Sequence, residues 1–350
     1  MTDLSFYRGK RVLVTGHTGF KGSWLCKLLL LAGARVTGYS LAPPTDPSLF
    51  VLAGLERQLD SVTGDVRDFD HLLRVTRETG PELVFHLAAQ PIVREGYAAP
   101  RYTYETNVMG TVNLLECVRL CPGVKSVVNV TTDKVYRNPE RGEAFREEEP
   151  LDGYDPYSSS KSCSELVTAA YVRSFFGRGP AVSAVRAGNV IGGGDFAKDR
   201  ILPDCVRAAA AGRPAAVRNP RSVRPYQHVL EPLAAYLMIA EAQYRDRRFA
   251  GAYNVGPEES GCVTTGRLAD LFCRYWGHGA AWEDRAEPGA PHEAGFLRLD
   301  CTKLKETFGW RPRWDVEKAV EMTCAFSRIW LEGGDLSGEM EREILMYFEG

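Results

Sequence analysis

The sequence predicts an α/β protein built on a doubly wound parallel sheet, with a smaller C-terminal lobe. Three observations lead to this prediction. Short apolar runs alternate with helical patterns from residue 11 to about residue 187, most of these runs are continuously apolar, and an irregular sequence rich in Gly, Pro and Arg follows Arg186. Strands that are covered by helices on both faces are continuously apolar, which is typical of parallel sheets.

The first unit is a strand, a glycine turn and a helix. Residues 11–15 are predicted to form the strand and residues 23–32 the helix, with Gly16, Gly19 and Gly22 between them. A second strand is predicted at residues 35–39. Residues without Cβ in such a turn let backbone N–H groups and the helix N-terminus approach a pyrophosphate. The turn therefore predicts a dinucleotide site, although three glycines alone also fit an ordinary tight turn.

The end of the second strand departs from the usual dinucleotide pattern. An acidic residue that holds the ribose hydroxyls is expected there, but the chain reads Tyr39-Ser40-Leu41, and no Arg follows to favour a 2′-phosphate. The choice between NAD and NADP therefore stays open. Asp65 and Val66, after a strand near residues 61–63, suit an adenine edge, and a helix-capping Asp is the alternative.

Later elements follow the same alternation. Strands are predicted at 83–87, 124–130 and 181–185, with helices at 107–120 and 159–176. A helix at 229–244 and a strand at 252–255 are expected to return to the main sheet. We therefore expect a dinucleotide-binding domain at 1–187, joined by 228–256, and a substrate-binding lobe at 188–227 and 257–350.

Composition excludes several classes of protein. The net charge of −2 gives no hint of a nucleic-acid partner. The nine Cys lack the spacing of a zinc site or a disulfide framework, so we expect no metal and a cytoplasmic protein. No apolar stretch approaches the ~20 residues of a membrane span.

A tyrosine and a lysine four residues apart form the strongest catalytic signal. Tyr157 and Lys161 share one helix face, so the ammonium can depress the pKa of the phenol from about 10 toward neutrality. Such a phenolate is a general base for a sugar or alcohol hydroxyl. Most pairs at this spacing are surface neighbours, but Thr132, Asp133 and Lys134 at the end of the preceding strand favour a catalytic pair.

With these motifs together, the chain resembles the extended short-chain dehydrogenase/reductases that modify nucleotide sugars, and among them most closely the CDP-glucose 4,6-dehydratases. The resemblance runs nearly end to end. It rests on Gly16 to Gly22, residues 86–90, Thr106-Asn107 with Gly110-Thr111, residues 132–134, Tyr157 to Lys161, residues 186–192, residues 224–228 and residues 291–293. The resemblance implies a Rossmann domain, NAD as cofactor, a nucleotide-diphosphate sugar as substrate and a homodimer.

The resemblance also implies a reaction sequence. Tyr157 removes the proton of the sugar 4-hydroxyl while NAD accepts the C4 hydride, Lys161 tunes Tyr157 and holds the nicotinamide ribose, and Thr132 bonds the 4-oxygen. Asp133 is the acid for the departing 6-hydroxyl. Lys134 stands where the similar dTDP-glucose dehydratases place a Glu as the C5 base, and the hydride then returns to C6. A solvated strand-end lysine is the alternative for Lys134.

The remaining site residues are carried over in the same way. The expected cofactor contacts, besides Tyr157 and Lys161, are Gly16, Gly19, Phe20, Gly22, Ser40, Asp65, Val66, Ala88, Ala89 and Thr106. The expected substrate contacts are Gln90, Asn189, Arg200, Arg218, Arg224 and His292. Arg213, Arg218, Arg221 and Arg224 lie in a run without Asp or Glu, which favours a diphosphate clamp over a nucleic-acid patch in a chain of negative net charge.

Two other functions are weighed against dehydration. An epimerase of the same fold uses Tyr157, Lys161 and Thr132 but has no need of the pair formed by Asp133 and Lys134. A non-catalytic dinucleotide-binding protein predicts cofactor binding without turnover, and the intact Tyr157 and Lys161 pair argues against it. The sequence leaves the nucleotide base of the substrate open.

Overall fold

The computed structural model describes residues 4–140, 142–286 and 294–349. Its strands are β1 Arg11–Thr15, β2 Arg35–Ser40, β3 Asp60–Thr63, β4 Leu83–His86, β5 Ser126–Thr132, β6 Ala181–Ala187, β7 Val190–Ile191, β8 Ala215–Val217, β9 Val223–Pro225, β10 Gln227–His228, β11 Ala252–Val255, β12 Cys262–Thr264 and β13 Trp282–Asp284. The strands predicted for the main sheet lie within two residues of these bounds.

Seven strands form one parallel sheet in the order β3-β2-β1-β4-β5-β6-β11. The predicted doubly wound architecture is therefore confirmed. The order reverses between β1 and β4, and in open α/β sheets ligands bind in the crevice beyond the carboxyl ends of the strands at such a point. Thr15 and His86 are paired in register there, which places the turn after β1 beside the loop after β4.

Helices cover both faces of the sheet. Their bounds are α1 Phe20–Leu31, α2 Leu49–Leu52, α3 Phe69–Thr79, α4 Val93–Ala98, α5 Pro100–Tyr104, α6 Gly110–Leu120, α7 Pro156–Phe175, α8 Ile201–Ala210, α9 Leu230–Arg245, α10 Thr265–Trp276, α11 Thr302–Phe308, α12 Val316–Leu331 and α13 Leu336–Glu349. A π-helical turn, Glu105–Met109, joins α5 to α6. The predicted helix at 107–120 therefore begins inside a longer, irregular helical segment.

The strands are apolar on both faces because each face packs against helices. In β1, Val12 and Val14 belong to the core beneath α1 and α9, whereas Leu13 between them belongs to the core beneath α3 and α6. Successive side chains of a strand point to opposite faces, so a strand with two buried faces needs apolar residues throughout. This explains the continuous apolar runs of the sequence.

The later part of the chain adds a second core around α8, α10 and α12. Leu268 and Phe272 on α10 and Cys324 on α12 are fully buried in it. Short two-stranded sheets, β13 with β8 and β12 with β9, border this core. The final helix, α13, instead packs against α1 on the main sheet. Among the described helices none is long and apolar enough to cross a membrane.

Candidate active site

The glycine turn lies at the reversal of strand order and is too tight for side chains. Gly16 has a φ of +76°, and a Cβ there would lie 2.7 Å from the backbone nitrogen of Ala88. A Cβ on Gly22 would lie 2.1 Å from the carbonyl oxygen of Gly16. Gly19 precedes α1 and Phe20 begins it, so the helix N-terminus opens onto this cradle. These residues fit the pyrophosphate of a dinucleotide.

Polar side chains, rather than an acid, occupy the end of β2. Ser40 bonds Thr18 at 2.9 Å between their hydroxyl oxygens. The ring of His17 lies over Gly38, where a Cβ would come within 2.3 Å of it. His17 Nε2 is 2.8 Å from Ser61 Oγ, and its buried Nδ1 has no hydrogen-bond partner among the described residues. Burial lowers the pKa of His17 to about 4, so the ring is neutral at pH 7.

The carboxylate of Asp65 is already engaged. Arg67 donates to it from Nε at 2.9 Å and from Nη2 at 2.6 Å, and this pairing lowers the pKa of Asp65. Val66 is buried against Gly110, where a Cβ would lie 2.7 Å from Val66 Cγ2. The predicted adenine contact of Asp65 therefore competes with Arg67 for the same oxygens.

The loop after β4 brings further predicted residues to the turn. Ala88 donates its N–H to Thr15 Oγ1 at 3.3 Å, and Ala89 follows it, half-buried. The buried hydroxyl of Thr106 has no partner among the described residues, as expected of a group that serves a ligand. Gln90, by contrast, donates to Thr103 at 2.9 Å and accepts from the N–H of Ile92 at 2.6 Å, so protein groups hold both ends of its amide.

Tyr157 and Lys161 lie in the first two turns of α7. Burial raises the pKa of Tyr157 to about 12, and the neighbouring Thr132 side chain and the charge of Arg200 lower it only in part. Lys161 donates to the carbonyl oxygen of Val130 at 3.1 Å, and burial lowers its pKa to about 8. The expectation of a phenol pKa near neutrality is wrong for this structure, because burial outweighs the nearby cations.

Thr132, Asp133 and Lys134 form a compact group where β5 ends. Thr132 Oγ1 donates to Asp133 Oδ1 at 3.0 Å, and Lys134 Nζ lies 3.3 Å from the same oxygen. The side chain of Asp133 is 1% exposed and that of Lys134 is 20% exposed. Asp133 Oδ2 is buried and has no partner among the described residues. An acid and an amine thus stand side by side beneath a solvent-accessible opening.

Lys21 is a site residue that the sequence reasoning missed. It lies in the glycine turn, and burial, with the charges of Arg200 and Lys161, lowers its pKa to about 7, whereas Asp133 raises it. Lys21 therefore responds to charges on α7 and at the end of β5. A lysine between Gly19 and Gly22 was the available signal, since a cation is unusual in a turn that closes onto a buried helix.

The predicted substrate contacts are spread along the second half of the chain. Arg200, just before α8, donates to Asp195 at 3.0 Å. Its positive charge lowers the pKa of Tyr157, so it lies near the reacting groups. Asn189 Oδ1 is buried without a partner among the described residues. Arg224 donates to the carbonyls of Val223 and Ala294. His292 lies outside the described residues.

One arginine of the run is compensated by acids in the fold. Arg218 pairs with Asp199 and lies 3.7 Å from Asp204, both contributed by an earlier segment. At this position the fold supplies the acids that the neighbouring sequence lacks. Among the described residues no cluster of His, Cys, Asp or Glu is arranged to hold a metal ion.

Comparisons with known proteins agree with this arrangement. The family model described as GDP-mannose 4,6 dehydratase matches residues 13–323. The chain is 46% identical to the CDP-glucose 4,6-dehydratase of Salmonella typhimurium over 354 residues, which is 99% of this chain and 98% of the relative. It is 30% identical to the dTDP-glucose 4,6-dehydratase of Streptomyces antibioticus, over 92% of this chain and 94% of that protein.

Solved structures show the same fold. The UDP-glucose 4-epimerase of Thermus thermophilus, in complex with NAD, matches with a TM-score of 0.80 and 27% identity over 91% of this chain and 99% of that chain. The dTDP-glucose 4,6-dehydratase of Bacillus anthracis, in complex with NAD, matches with a TM-score of 0.78 and 24% identity, over 93% and 98% of the two chains.

Proposed function

The chain belongs to the GDP-mannose 4,6 dehydratase family of extended short-chain dehydrogenase/reductases, and from that premise we propose that it is a CDP-glucose 4,6-dehydratase. The product is CDP-4-keto-6-deoxyglucose. The observation that carries this proposal is the pairing of Asp133 with Lys134 at 3.3 Å beside Tyr157. An epimerase has no use for this pair, and the 46% identical relative is a dehydratase.

In the first stage the α7 pair and Thr132 act on the sugar 4-hydroxyl. Tyr157 takes its proton, and the Thr132 hydroxyl holds the 4-oxygen in place. Arg200 places positive charge near the phenol, which stabilises the phenolate that burial alone disfavours, and we assign the same role to Lys161 one turn further along α7. Lys161, fixed on the carbonyl of Val130, also holds the nicotinamide ribose.

In the second stage the Asp133 and Lys134 pair removes water across C5 and C6. Transfer of one proton from Lys134 Nζ to Asp133 turns the ion pair into an amine and a carboxylic acid. The amine then takes the C5 proton, which the 4-ketone has acidified, and the acid protonates the departing 6-hydroxyl. Burial of Asp133 keeps bulk water from competing for that proton.

The cofactor of this reaction is NAD, which when bound supplies the acceptor of the C4 hydride and the donor of the hydride at C6. As C6 is reduced, the Lys134 ammonium returns a proton to C5, which completes the 4-keto-6-deoxy sugar. Gly16, Gly19 and Gly22 leave room for its pyrophosphate, and Phe20 begins the helix that faces it. Thr106, whose buried hydroxyl has no partner in the part of the chain that the structure describes, is also assigned to the cofactor. We assign the remaining contacts to Ser40, Asp65, Val66, Ala88 and Ala89.

The nucleotide end of the substrate is assigned to the second half of the chain. Arg224 is proposed to hold the pyrophosphate, and Arg218, Asn189 and His292 the rest of the nucleotide. Arg218 pairs with Asp199, so substrate binding must exchange this ion pair for a contact with the nucleotide. Arg200 and Gln90 are assigned to the sugar, Gln90 through its closeness to Tyr157 across Gly96.

A homodimer and a cytoplasmic location complete the proposal. Large apolar side chains on the helices from α5 to α7 are exposed, among them Tyr104, Met109, Leu166 and Phe175. Exposed apolar side chains on helices that pack against each other favour a partner, and a second copy is the proposed one. All nine cysteines are free, as expected in a reducing compartment. Sedimentation equilibrium tests the dimer.

A substrate screen tests the function directly. The purified protein with NAD is incubated with CDP-, dTDP-, UDP-, GDP- and ADP-glucose, and formation of a 4-keto sugar is measured. We expect turnover with CDP-glucose and at least about tenfold lower kcat/KM with the others. Preference for another nucleotide would overturn the cytidine assignment but not dehydration, and an epimerised product without a 4-keto group would overturn the dehydratase.

A further inference from the structure

A buried ion pair lies directly behind the catalytic residues. Glu165 on α7 and Arg186 on β6 have side chains that are 3% and 4% exposed. Arg186 donates to Glu165 through Nε at 2.8 Å and through Nη2 at 2.5 Å, to different carboxylate oxygens. This two-point geometry fixes the relative orientation of the helix and the strand more tightly than a single contact does.

The ion pair of Glu165 and Arg186 forms hydrogen bonds at both ends of the segment that contains Thr132, Asp133 and Lys134. Thr131, just before Thr132, donates to Glu165 at 2.6 Å, and its partner in the sheet register is Arg186 itself. Beyond Lys134, the hydroxyl of Tyr136 accepts from Arg186 at 2.7 Å and donates to Asn254 on β11 at 2.6 Å. Residues 132–135 are thus held between two anchors on one guanidinium–carboxylate pair.

The carboxylate of Glu165 also changes the pKa of Lys161 on α7. Tyr157, Lys161 and Glu165 follow one another at intervals of four residues, so they line one face of the helix. The negative charge of Glu165 raises the pKa of Lys161, which burial lowers to about 8. Without Glu165, burial would hold Lys161 in its neutral form at lower pH.

We propose that Glu165 and Arg186 are positioning residues for the reaction, which hold the Thr132–Asp133–Lys134 segment in register with Tyr157 and Lys161. The inference rests on the proposed function. Replacing a buried ion pair by apolar residues is often neutral or stabilising, so stability alone gives weak grounds for a pair at this place. Its bonds to Thr131 and Tyr136 give it a role in geometry that an apolar pair could not supply.

The test compares variants at the two ends of the network. Glu165→Gln removes the charge that acts on Lys161, and Tyr136→Phe removes only the hydroxyl that joins Arg186 to Asn254. Because Glu165→Gln leaves Arg186 buried without its carboxylate, the double variant Glu165→Gln with Arg186→Gln is measured as well. Glu343→Gln is the matched control, since Glu343 is equally buried but faces His228, 3.4 Å away.

Two readouts separate positioning from a merely structural role. The alkaline limb of the kcat/KM profile, where Lys161 loses its proton, should move to lower pH by about one unit in both Glu165 variants and stay in place in Glu343→Gln. Tyr136→Phe should keep C4 oxidation, followed by the absorbance of reduced NAD, while elimination slows about tenfold to a hundredfold. KM should stay within about twofold in Tyr136→Phe.

The opposite outcome is equally specific. If the folded double variant keeps both the parental rate and the parental pH profile, or if Glu343→Gln shifts the same limb, the positioning role is wrong. Equal slowing of oxidation and elimination in Tyr136→Phe would also overturn it. Failure of the parental protein to dehydrate any nucleotide glucose would instead refute the proposed function, because the variants are scored only against parental turnover.

Discussion

Replacing Lys134 by Ala should separate the two stages of the reaction. The variant removes the amine that lies 3.3 Å from Asp133 but leaves Thr132, Tyr157 and Lys161 untouched. Loss of a general base typically costs a factor of about 10² to 10⁴ in rate, which corresponds to about 3 to 5 kcal/mol of transition-state stabilisation. Lys134 is 20% exposed, so its removal leaves no apolar cavity and water can enter.

The assay follows two signals from the same reaction mixture. Formation of reduced NAD in a single turnover reports C4 oxidation, and the 4-keto-6-deoxy sugar reports elimination. Lys134→Ala should keep the first within about threefold and lower the second by at least about a hundredfold. Lys305→Ala, which removes a lysine paired with Glu258, is the control and should keep both rates. A Lys134→Ala protein that dehydrates at the parental rate would refute the assignment of the C5 base.

Three further predictions follow from the same structure. Gly22→Ala should weaken NAD binding and cost about 1 to 3 kcal/mol of unfolding free energy, because its Cβ would lie 2.1 Å from a carbonyl oxygen. Gly177→Ala is the control, and because open space surrounds that Cβ, it should change neither quantity. Titration calorimetry measures NAD binding, and scanning calorimetry measures stability. Tyr157→Phe should lower kcat by about 10² to 10⁴ without changing the Kd for NAD more than about threefold, and an unchanged kcat would remove Tyr157 from the mechanism. The pKa of Lys161 falls from 10.5 unfolded to about 8 folded, so its burial costs stability below pH 8 and the cost disappears as pH approaches 10.5. Lys161→Met should therefore gain about 3 kcal/mol over the parental protein at pH 7 and less than about 1 kcal/mol at pH 10, and a pH-independent difference in urea unfolding would contradict the buried charge.

Local patterns in the sequence were sufficient for the sheet and for the positions of the proposed catalytic residues within it. The α7 face that carries Tyr157 and Lys161 follows from a spacing of four residues, and the glycine turn follows from its place between β1 and α1. Both depend on chain neighbours alone. The continuous apolar strands likewise follow from burial on two faces, which any parallel sheet of this kind requires.

What the sequence did not predict depends on contacts between distant segments. Arg218 is paired by acids from residues 199–204, so the charge available to a ligand differs from the charge in the neighbouring sequence. The raised pKa of Tyr157 results from burial, which no spacing reveals. Gly193 lies against Phe326, where a Cβ would come within 2.0 Å of the ring, and no local pattern predicts this contact.

The central claim is that this protein removes water from a nucleotide glucose through a C5 proton transfer. Incubation of the parental protein with NAD and CDP-glucose in heavy water tests it most directly. The mechanism predicts a CDP-4-keto-6-deoxyglucose that carries deuterium at C5, with the C4 hydrogen of the substrate recovered at C6. A C4 epimer without solvent deuterium, or a deoxy sugar without the transferred C4 hydrogen, would contradict it.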